Sequence, residues 1–402
     1  LRSGPAGSAA IAGPGCRLVL GELLSEVVRR RRVCPAVLRA RQPAPLAPPR
    51  GPKPARCQIR PVRATEPWTH PSELRMMTPT LDRPAVKPRA PQFVQCHDEA
   101  GADLRVELAA GLLEHSARIA PKYFYDALGS RLFDAITELP EYYPTRTERH
   151  ILAAHGAAMA TAVGRGRTLV DLGAGNCQKA GRLFTALEPR RYVAVDISVE
   201  FLRNALDCLQ REHPRTDMVG VGLDFSRELR LPPEAGDGPR TLFYPGSSIG
   251  NFTPEEAVAF LRRAREGSPG SHLLIGVDLV KDKGVLDAAY DDALGVTAAF
   301  NRNVLVHVNR VLGSDFVLGD WRHVAFFDEA AARVEMHLQA RCALTVRWPG
   351  GERRFAEGER IHTENSFKYT VEGFAALLHA AGYAHTRCWT DPRAWFAVFA
   401  AT

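Results

Sequence analysis

The chain has 402 residues, of which 45% are hydrophobic and 24% charged, enough to bury one large core or two ordinary ones. No apolar run approaches the ~20 residues of a membrane-spanning helix, so no membrane partner is expected. The net charge of +7 would suggest nucleic acid, but residues 1–76 alone hold fourteen Lys and Arg against four Asp and Glu; that +10 belongs to a tail, and the remaining −3 argues against a nucleic-acid partner.

Residues 1–98 are rich in Pro, Ala and Arg, and stretches such as 43–54 cannot pack a core, so a disordered tail is expected there. Residues 18–28 could form a short amphipathic helix ahead of Arg29-Arg30-Arg31-Arg32. An Arg-rich, acid-poor start resembles a transit peptide, while the proline density argues against one. The first methionines are Met76 and Met77, and the natural start is expected at one of them, with no function for what precedes it. The eight cysteines are scattered, without a Cys-x-x-Cys pair or zinc spacing; no metal site is expected, and the usage fits a reducing cytoplasm.

A helical pattern covers 102–119, with Leu104, Leu108, Leu112 and Leu113 on one side. Then come Lys122-Tyr123-Phe124-Tyr125-Asp126, a short helix over 131–137, and Leu139-Pro140-Glu141-Tyr142-Tyr143-Pro144. Four tyrosines within residues 123–143, with prolines fixing the backbone, suit the wall of a pocket for a small polar molecule. A proline-bounded aromatic core loop is the equally weighted alternative.

A long helix over 148–163 leads to a strand over 168–172 and the turn Gly173-Ala174-Gly175-Asn176, with a helix over 179–187 behind it. The strand is apolar and β-branched enough to be covered on both faces, and the glycines let the backbone turn sharply beside a ligand. Such a unit forms the ligand end of a doubly wound α/β sheet. A dinucleotide fingerprint needs a third glycine three positions after the second, but residue 178 is Gln, which favours a smaller nucleoside. The next strand, 192–196, ends on Asp196, where an acid can accept both hydroxyls of a ribose. After a helix over 198–210, the strand 218–223 runs into Asp224-Phe225, a carboxylate and ring able to bond and cover an adenine. One strand-end Asp is often a helix cap; two on successive strands after a Gly-x-Gly turn favour a ligand.

The fourth strand, 240–244, enters Pro245-Gly246-Ser247-Ser248-Ile249-Gly250-Asn251-Phe252, and Thr253-Pro254 opens a capped helix. This loop shares the sheet edge with Gly173 and carries one amide side chain, Asn251. A fifth strand covers 272–278. The rhythm then breaks into helix over 284–311 and strand-like alternation within 316–368, the mark of an inserted domain. A helix over 371–381 and strands over 384–389 and 395–400 complete the sheet.

Seven strands in this order, with Asp171-Leu172-Gly173-Ala174-Gly175-Asn176, Asp196 and Asp224-Phe225, resemble the class I S-adenosylmethionine-dependent methyltransferases. That resemblance implies an α/β, doubly wound seven-stranded sheet with an inserted α+β substrate domain, and S-adenosyl-L-methionine as cofactor. It implies Gly173 and Gly175 along the cofactor's amino-acid portion, Asp196 on the ribose, Asp224 and Phe225 on adenine, and Lys179 at the cofactor carboxylate. More specifically, residues 122–126, 139–146, 246–251 and 290–303, with Met336 and Thr363-Glu364-Asn365-Ser366, are similar to the ergothioneine-pathway L-histidine Nα-methyltransferase family. That family trimethylates L-histidine to hercynine, and the resemblance covers about residues 102–402.

Carried over by motif, Asn251 and Tyr290 would hold the substrate carboxylate, and Glu364 and Ser366 the imidazole, with Tyr142 assisting. Tyr125 and Gly246 would be the catalytic positions near the amine, and Met336 a side of the ring pocket. Two departures, Ala174 and Asn365, have side chains that can face away. The implied organisation is a tail (1–98), a substrate-domain segment (99–147), a methyltransferase domain (148–282 and 371–402) and an inserted substrate domain (283–370). The implied protein is a cytoplasmic monomer whose partner is L-histidine. A related enzyme for another amino acid such as a tryptophan derivative, a nucleic-acid methyltransferase and a non-catalytic binding protein are the rival readings.

The chemistry agrees with the resemblance. Methyl transfer from a sulfonium needs a neutral amine, and nearby positive charge favours that form. Residues 245–252 contain no carboxylate to oppose it. Glu364 could take a charge-assisted hydrogen bond from a ring N–H, and a substrate without that donor would leave it unpaired, a penalty of up to ~10⁴-fold. Without the family motifs, Glu364, Tyr290 and Asn251 read as well as a solvated strand residue, a helix packing residue and a turn residue.

Overall fold

Every residue of the strand Thr168–Leu172 is buried, as its apolar and β-branched side chains require of a strand covered on both faces. In the computed structural model, which describes residues 89–96, 102–226 and 228–402, this strand lies inside an eight-stranded sheet. In chain order the strands are β1 (Gln92–Gln95), β2 (Thr168–Leu172), β3 (Arg191–Asp196), β4 (Asp217–Gly222), β5 (Arg240–Tyr244) and β6 (His272–Asp278). A second layer supplies β7 (Trp321–Asp328), β8 (Arg333–Ala340), β9 (Leu344–Trp348), β10 (Gly351–Phe355) and β11 (Arg360–Phe367), before β12 (Thr386–Thr390) and β13 (Phe396–Ala401) return to the main sheet.

The order of the main sheet is β1-β4-β3-β2-β5-β6-β13-β12, with β13 antiparallel to both of its neighbours. Strand order reverses at β2, which pairs with β3 on one side and β5 on the other, so a crevice opens beyond its carboxyl end. The period of two sorts the core: Val170, Leu172, Val193 and Val195 face one cluster with the helices Pro254–Glu266 and Val371–Ala380. Leu169, Tyr192, Ala194 and Phe243 face the other, with the helices Tyr143–Val163 and Val199–Glu212.

The second layer is a three-stranded antiparallel sheet, β11-β8-β7, and a β9–β10 hairpin. Leu108, Leu112, Tyr123, Phe124 and Ile136 of the N-terminal segment share one core with Leu286, Phe300, Val304, Trp321, Leu338 and Ile361. One irregularity in this layer matters for the site. Ile361 pairs with Leu338 and His362 with His337, but Glu364 pairs with Met336, so Thr363 is an extra residue in β11. Inserting one residue moves every later side chain to the opposite face. Glu364 and Ser366 therefore share the face of Met336 and Leu338, while Asn365 turns to the other face, its Oδ1 2.9 Å from His362 Nε2.

The structure corrects several expectations. The main sheet has eight strands rather than seven. The helix expected over 131–137 spans Ala127–Thr137, and the helix expected over 284–311 is two, Lys283–Tyr290 and Val296–Leu312. Residues 92–95, within the expected tail, form β1, a parallel edge strand on β4. Phe93 lies against Gly220, where any side chain would come within 2.4 Å of its ring. A four-residue strand inside Pro- and Arg-rich sequence carries too little pattern to read. The expected helix over 179–187 is two short turns, Gln178–Gly181 and Phe184–Leu187, and the helix expected over 102–119 ends at Leu113. The long helix starts at Tyr143 rather than 148, because Pro144 falls in its first turn, where its missing N–H costs nothing. The helix considered over 18–28 and the start at Met76 or Met77 lie outside the described residues. Among the described residues no helix is long and apolar enough to cross a membrane.

Candidate active site

The glycine turn takes its shape from β3. Gly173 and Gly175 adopt φ of +73° and +51°, a region that favours glycine. The Gly173 and Ala174 N–H groups donate to the Val195 carbonyl at 2.9 and 3.1 Å, and Gly175 N–H donates to Asp196 Oδ2 at 2.8 Å. Asp196 Oδ1 accepts the Ser198 N–H at 2.9 Å. Asp196 thus fixes the turn as well as standing at the strand end, and a carboxylate oxygen can accept a second donor such as a ribose hydroxyl. Ala174 faces the buried core.

Across the turn, a Cβ on Gly173 would stand 3.8 Å from the Phe225 ring, in ordinary van der Waals contact, so the ring lies close against the turn. Asp224 Oδ1 accepts from the Ser226 N–H at 3.2 Å and from the Ser226 hydroxyl. Its Oδ2 lies 3.1 Å from Lys122 Nζ, which also reaches Glu107 at 2.9 Å. Beneath the turn, Asp171 accepts the Tyr192 hydroxyl at 2.7 Å, and burial pushes its carboxyl up to about 7 against that bond.

Glu148, fully buried, accepts the Gly246 N–H at 2.9 and 3.1 Å and pairs with Lys179 Nζ at 2.7 Å. Gly246 (φ +81°) sits beside that ammonium; a side chain there would approach Lys179 Nζ to 3.0 Å. Lys179, expected at a cofactor carboxylate, is thus held by Glu148, which aims it beside Gly246.

The second half of the site is built on β11. The inserted Thr363 puts its hydroxyl 2.9 Å from Asn301 Oδ1 and 3.0 Å from the Met336 carbonyl, and Glu364 follows it opposite Met336. One side of the Asn251 carboxamide faces only acceptors, which assigns its nitrogen to that side, donating to Glu364 Oε1 at 3.2 Å and to the Asn365 carbonyl at 3.0 Å. Burial raises the Glu364 carboxyl to about 7, opposed by the charge of Lys368. The Tyr290 hydroxyl donates to Ser366 Oγ at 2.8 Å, and Lys368 Nζ donates to Tyr290 Oη at 2.9 Å and to Ser366 Oγ at 2.8 Å.

Lys368 also pairs with Asp278 Oδ2 at 2.9 Å; Asp278 pairs with Lys281 at 2.6 Å and accepts the Tyr143 hydroxyl at 2.6 and 2.8 Å. Burial pushes the Asp278 carboxyl up, but the Lys368 and Lys281 ammoniums outweigh it and hold it below the usual carboxylate range.

Tyrosines join the halves. The Tyr142 ring lies 6.4 Å from that of Tyr290, and Tyr125 packs edge-on against Phe133 and Phe300. The Tyr125 hydroxyl is raised well above its ordinary value by burial, then by Glu364, Tyr142 and Asp196, so it feels both the strand-end acid and the β11 acid. Gly173, Gly175, Asp196, Asp224 and Phe225 therefore gather at the glycine turn. Asn251, Tyr290, Met336, Glu364 and Ser366 gather on β11, with Tyr125, Tyr142 and Gly246 between.

Four residues of this arrangement escaped the sequence reading: Glu148, Asp278, Lys281 and Lys368. Asp278 carries the same strand-end signal as Asp196 and Asp224. Lys368 follows Glu364 and Ser366 at a spacing of two.

The donor set fits an adenosyl group: a strand-end carboxylate, a second carboxylate, and an aromatic ring beside the glycine turn. With strand order reversing at β2, the fold and site define the class of S-adenosylmethionine-dependent methyltransferases. Residues 104–402 match the family described as "Histidine-specific methyltransferase, SAM-dependent", and the chain belongs to that family. It is 44% identical over 302 residues to the histidine N-alpha-methyltransferase of Mycolicibacterium smegmatis, covering 73% of this chain and 93% of that relative. The corresponding Mycobacterium tuberculosis protein is 43% identical over 296 residues, covering 72% and 91%. Ergothioneine biosynthesis protein 1 of Neurospora crassa is 32% identical over 276 residues, covering 66% of this chain and 31% of that protein.

Proposed function

We propose that the protein trimethylates the α-amino group of L-histidine to hercynine in ergothioneine biosynthesis, using S-adenosyl-L-methionine. The observation that carries this reading is Glu364. The bulge at Thr363 sets it on the Met336 face beside Ser366, and Asn251 braces it, in a chain 44% identical to a histidine N-alpha-methyltransferase. S-adenosylmethionine, when bound, supplies a methyl group on a positively charged sulfonium.

Asp196 would hold the ribose, Asp224 and Phe225 the adenine, Gly173 and Gly175 the amino-acid portion, and Lys179 its carboxylate. Glu364 would accept an imidazole N–H and Ser366 would bond the other ring nitrogen, with Tyr142 and Met336 flanking the ring. Asn251 and Tyr290 would meet the substrate carboxylate, and Tyr125 and the Gly246 carbonyl would orient the amine. Glu148 is the acid nearest Gly246, and it is committed to the Gly246 N–H and to Lys179. Glu148 so engaged would not hold the amine protonated, and the sulfonium's positive charge would favour its neutral, nucleophilic form.

The core shared by residues 108–142 and 286–361 supports one substrate-binding unit made of 99–147 and 283–370, set on a methyltransferase domain of 148–282 and 371–402. We also take the protein to act as a cytoplasmic monomer. Turnover of each proteinogenic amino acid with S-adenosylmethionine tests the reading. Histidine is expected to be methylated with the highest kcat/KM; a higher value for any other amino acid would overturn it.

A further inference from the structure

We infer that Asn301 is a positioning residue that fixes the separation of Glu364 and Tyr290, the residues proposed for the ring and for the substrate carboxylate. It thereby sets the length of the amino-acid side chain that the site accepts. The inference rests on the histidine reading above and adds to it a residue that does not touch the substrate.

Asn301 lies on the helix Val296–Leu312 and is 0% exposed. Its carboxamide meets three strands. Nδ2 donates to the His337 carbonyl of β8 at 3.0 Å and to His323 Nδ1 of β7 at 2.8 Å. Oδ1 accepts the Thr363 hydroxyl of β11 at 2.9 Å. Chemistry fixes each direction. A carbonyl only accepts, so the His337 carbonyl assigns that end of the amide to nitrogen, and the oxygen falls to Thr363. The second amide hydrogen makes His323 Nδ1 the bare nitrogen. His323 Nε2 then carries the hydrogen that it donates to the Tyr290 carbonyl at 2.9 Å. Burial holds the imidazole below its ordinary range, in keeping with this neutral tautomer.

At one end of this chain of bonds stands the bulge. A bulge interrupts the ladder, and the two β8 carbonyls beside it take side-chain donors: Met336 from Thr363 at 3.0 Å, and His337 from Asn301. The residue after Thr363 is Glu364, whose face the bulge decides. At the other end, Tyr290 closes the helix Lys283–Tyr290, where its carbonyl has no partner within the helix. His323 supplies that partner, while the Tyr290 hydroxyl lies 2.8 Å from Ser366 Oγ on β11. One buried carboxamide thus ties the backbone that carries Glu364 to the backbone that carries Tyr290. A substrate held at both ends must fit that span.

The wild-type enzyme is first compared on histidine and homohistidine, which has one more methylene between the ring and the α-carbon. Histidine is expected to have a kcat/KM at least about tenfold higher, the usual effect of one methylene in a site of fixed size. Equal turnover of the two would overturn the inference without any variant. Absence of histidine methylation would instead overturn the functional reading.

Asn301→Ala is expected to lower kcat/KM for histidine by up to ~10²-fold, the cost of a displacement near 1 Å. The preference over homohistidine should shrink at least about fivefold, while the S-adenosylhomocysteine dissociation constant stays within about twofold. His323→Phe keeps a ring in place and removes both of its hydrogen bonds, which reads the same link without opening a cavity. It should shrink the preference too, and His323→Gln, which keeps a donor for the Tyr290 carbonyl, should restore part of it. In an Asn301→Ala background, His323→Phe should add less than about twofold, because the link is already cut. An unchanged preference in either single variant, additive effects of the two, or loss of cofactor affinity in parallel with histidine affinity would show a merely structural network and overturn the inference.

Discussion

With its carboxamide turned so that the nitrogen faces the acceptors around it, Asn251 donates to Glu364 Oε1 at 3.2 Å, and this bond joins the loop after β5 to strand β11. The same nitrogen donates to the Asn365 carbonyl at 3.0 Å, so both amide hydrogens are engaged by β11. Placing Asn251 on the substrate carboxylate therefore requires one of these bonds to be exchanged. The loop after β5 and strand β11 are held in one register.

That register depends on Gly250. A side chain there would come within 2.8 Å of the Phe367 carbonyl oxygen and 3.1 Å of its nitrogen, both backbone atoms with little freedom to move. Gly250→Ala should push the loop off β11 and weaken histidine turnover by up to ~10²-fold, the usual cost of a displacement near 1 Å. Cofactor affinity should hold within about threefold. Steady-state kinetics with calorimetry of S-adenosylhomocysteine measure the two quantities separately.

Glu364→Ala should lower kcat/KM for histidine by ~10³- to 10⁴-fold, since the imidazole N–H would lose its acceptor. The preference for histidine over phenylalanine should shrink by a similar factor, while cofactor binding stays unchanged. An unaltered histidine KM would remove Glu364 from the ring site.

The Glu364 carboxyl, raised to about 7 mainly by burial, sets a pH dependence. It accepts the ring N–H most strongly when ionised, so histidine affinity should fall as pH drops through about 7. Histidine's own imidazole titrates nearby at ~6.5, so wild type is compared with Glu364→Gln. Calorimetric titration of histidine across this range should show the fall in the wild type to be steeper than in Glu364→Gln. Parallel curves would assign the whole dependence to the substrate.

On the proposed reading Asp196 holds the ribose as well as the glycine turn, so its loss should exceed that of a ribose contact alone. Asp196→Ala removes the acceptor of the Gly175 N–H and of the Ser198 N–H together with the strand-end charge. Cofactor affinity should drop ~10- to 100-fold or more. Equilibrium binding of S-adenosylhomocysteine checks this, and a change under threefold would contradict the assignment.

The glycine turn and the strand-end acids were legible because they depend on local pattern. A buried apolar run, two glycines and an Asp at the next strand's end need no knowledge of distant residues. Glu364 was named by motif, but its direction was not legible. Strict alternation through residues 362–366 would place Glu364 on the His362 face. Thr363, buried and bonded to Asn301 on a distant helix, is what reverses it.

The same reason hid the Lys368–Asp278 pair and the Glu148–Lys179 pair, whose members meet only after the chain has folded. Strand β1 was missed for a different reason. Its pairing with β4 relies on a gap above Gly220 that Phe93 fills, and nothing in the surrounding proline-rich sequence marks it.

The most direct measurement is mass spectrometry of the product formed from L-histidine and excess S-adenosylmethionine, with fragmentation to locate the added methyl groups. The account predicts three methyl groups, all on the α-nitrogen, and an unmodified imidazole. Methylation of a ring nitrogen, or no methylation of histidine while another amino acid is turned over, would contradict it.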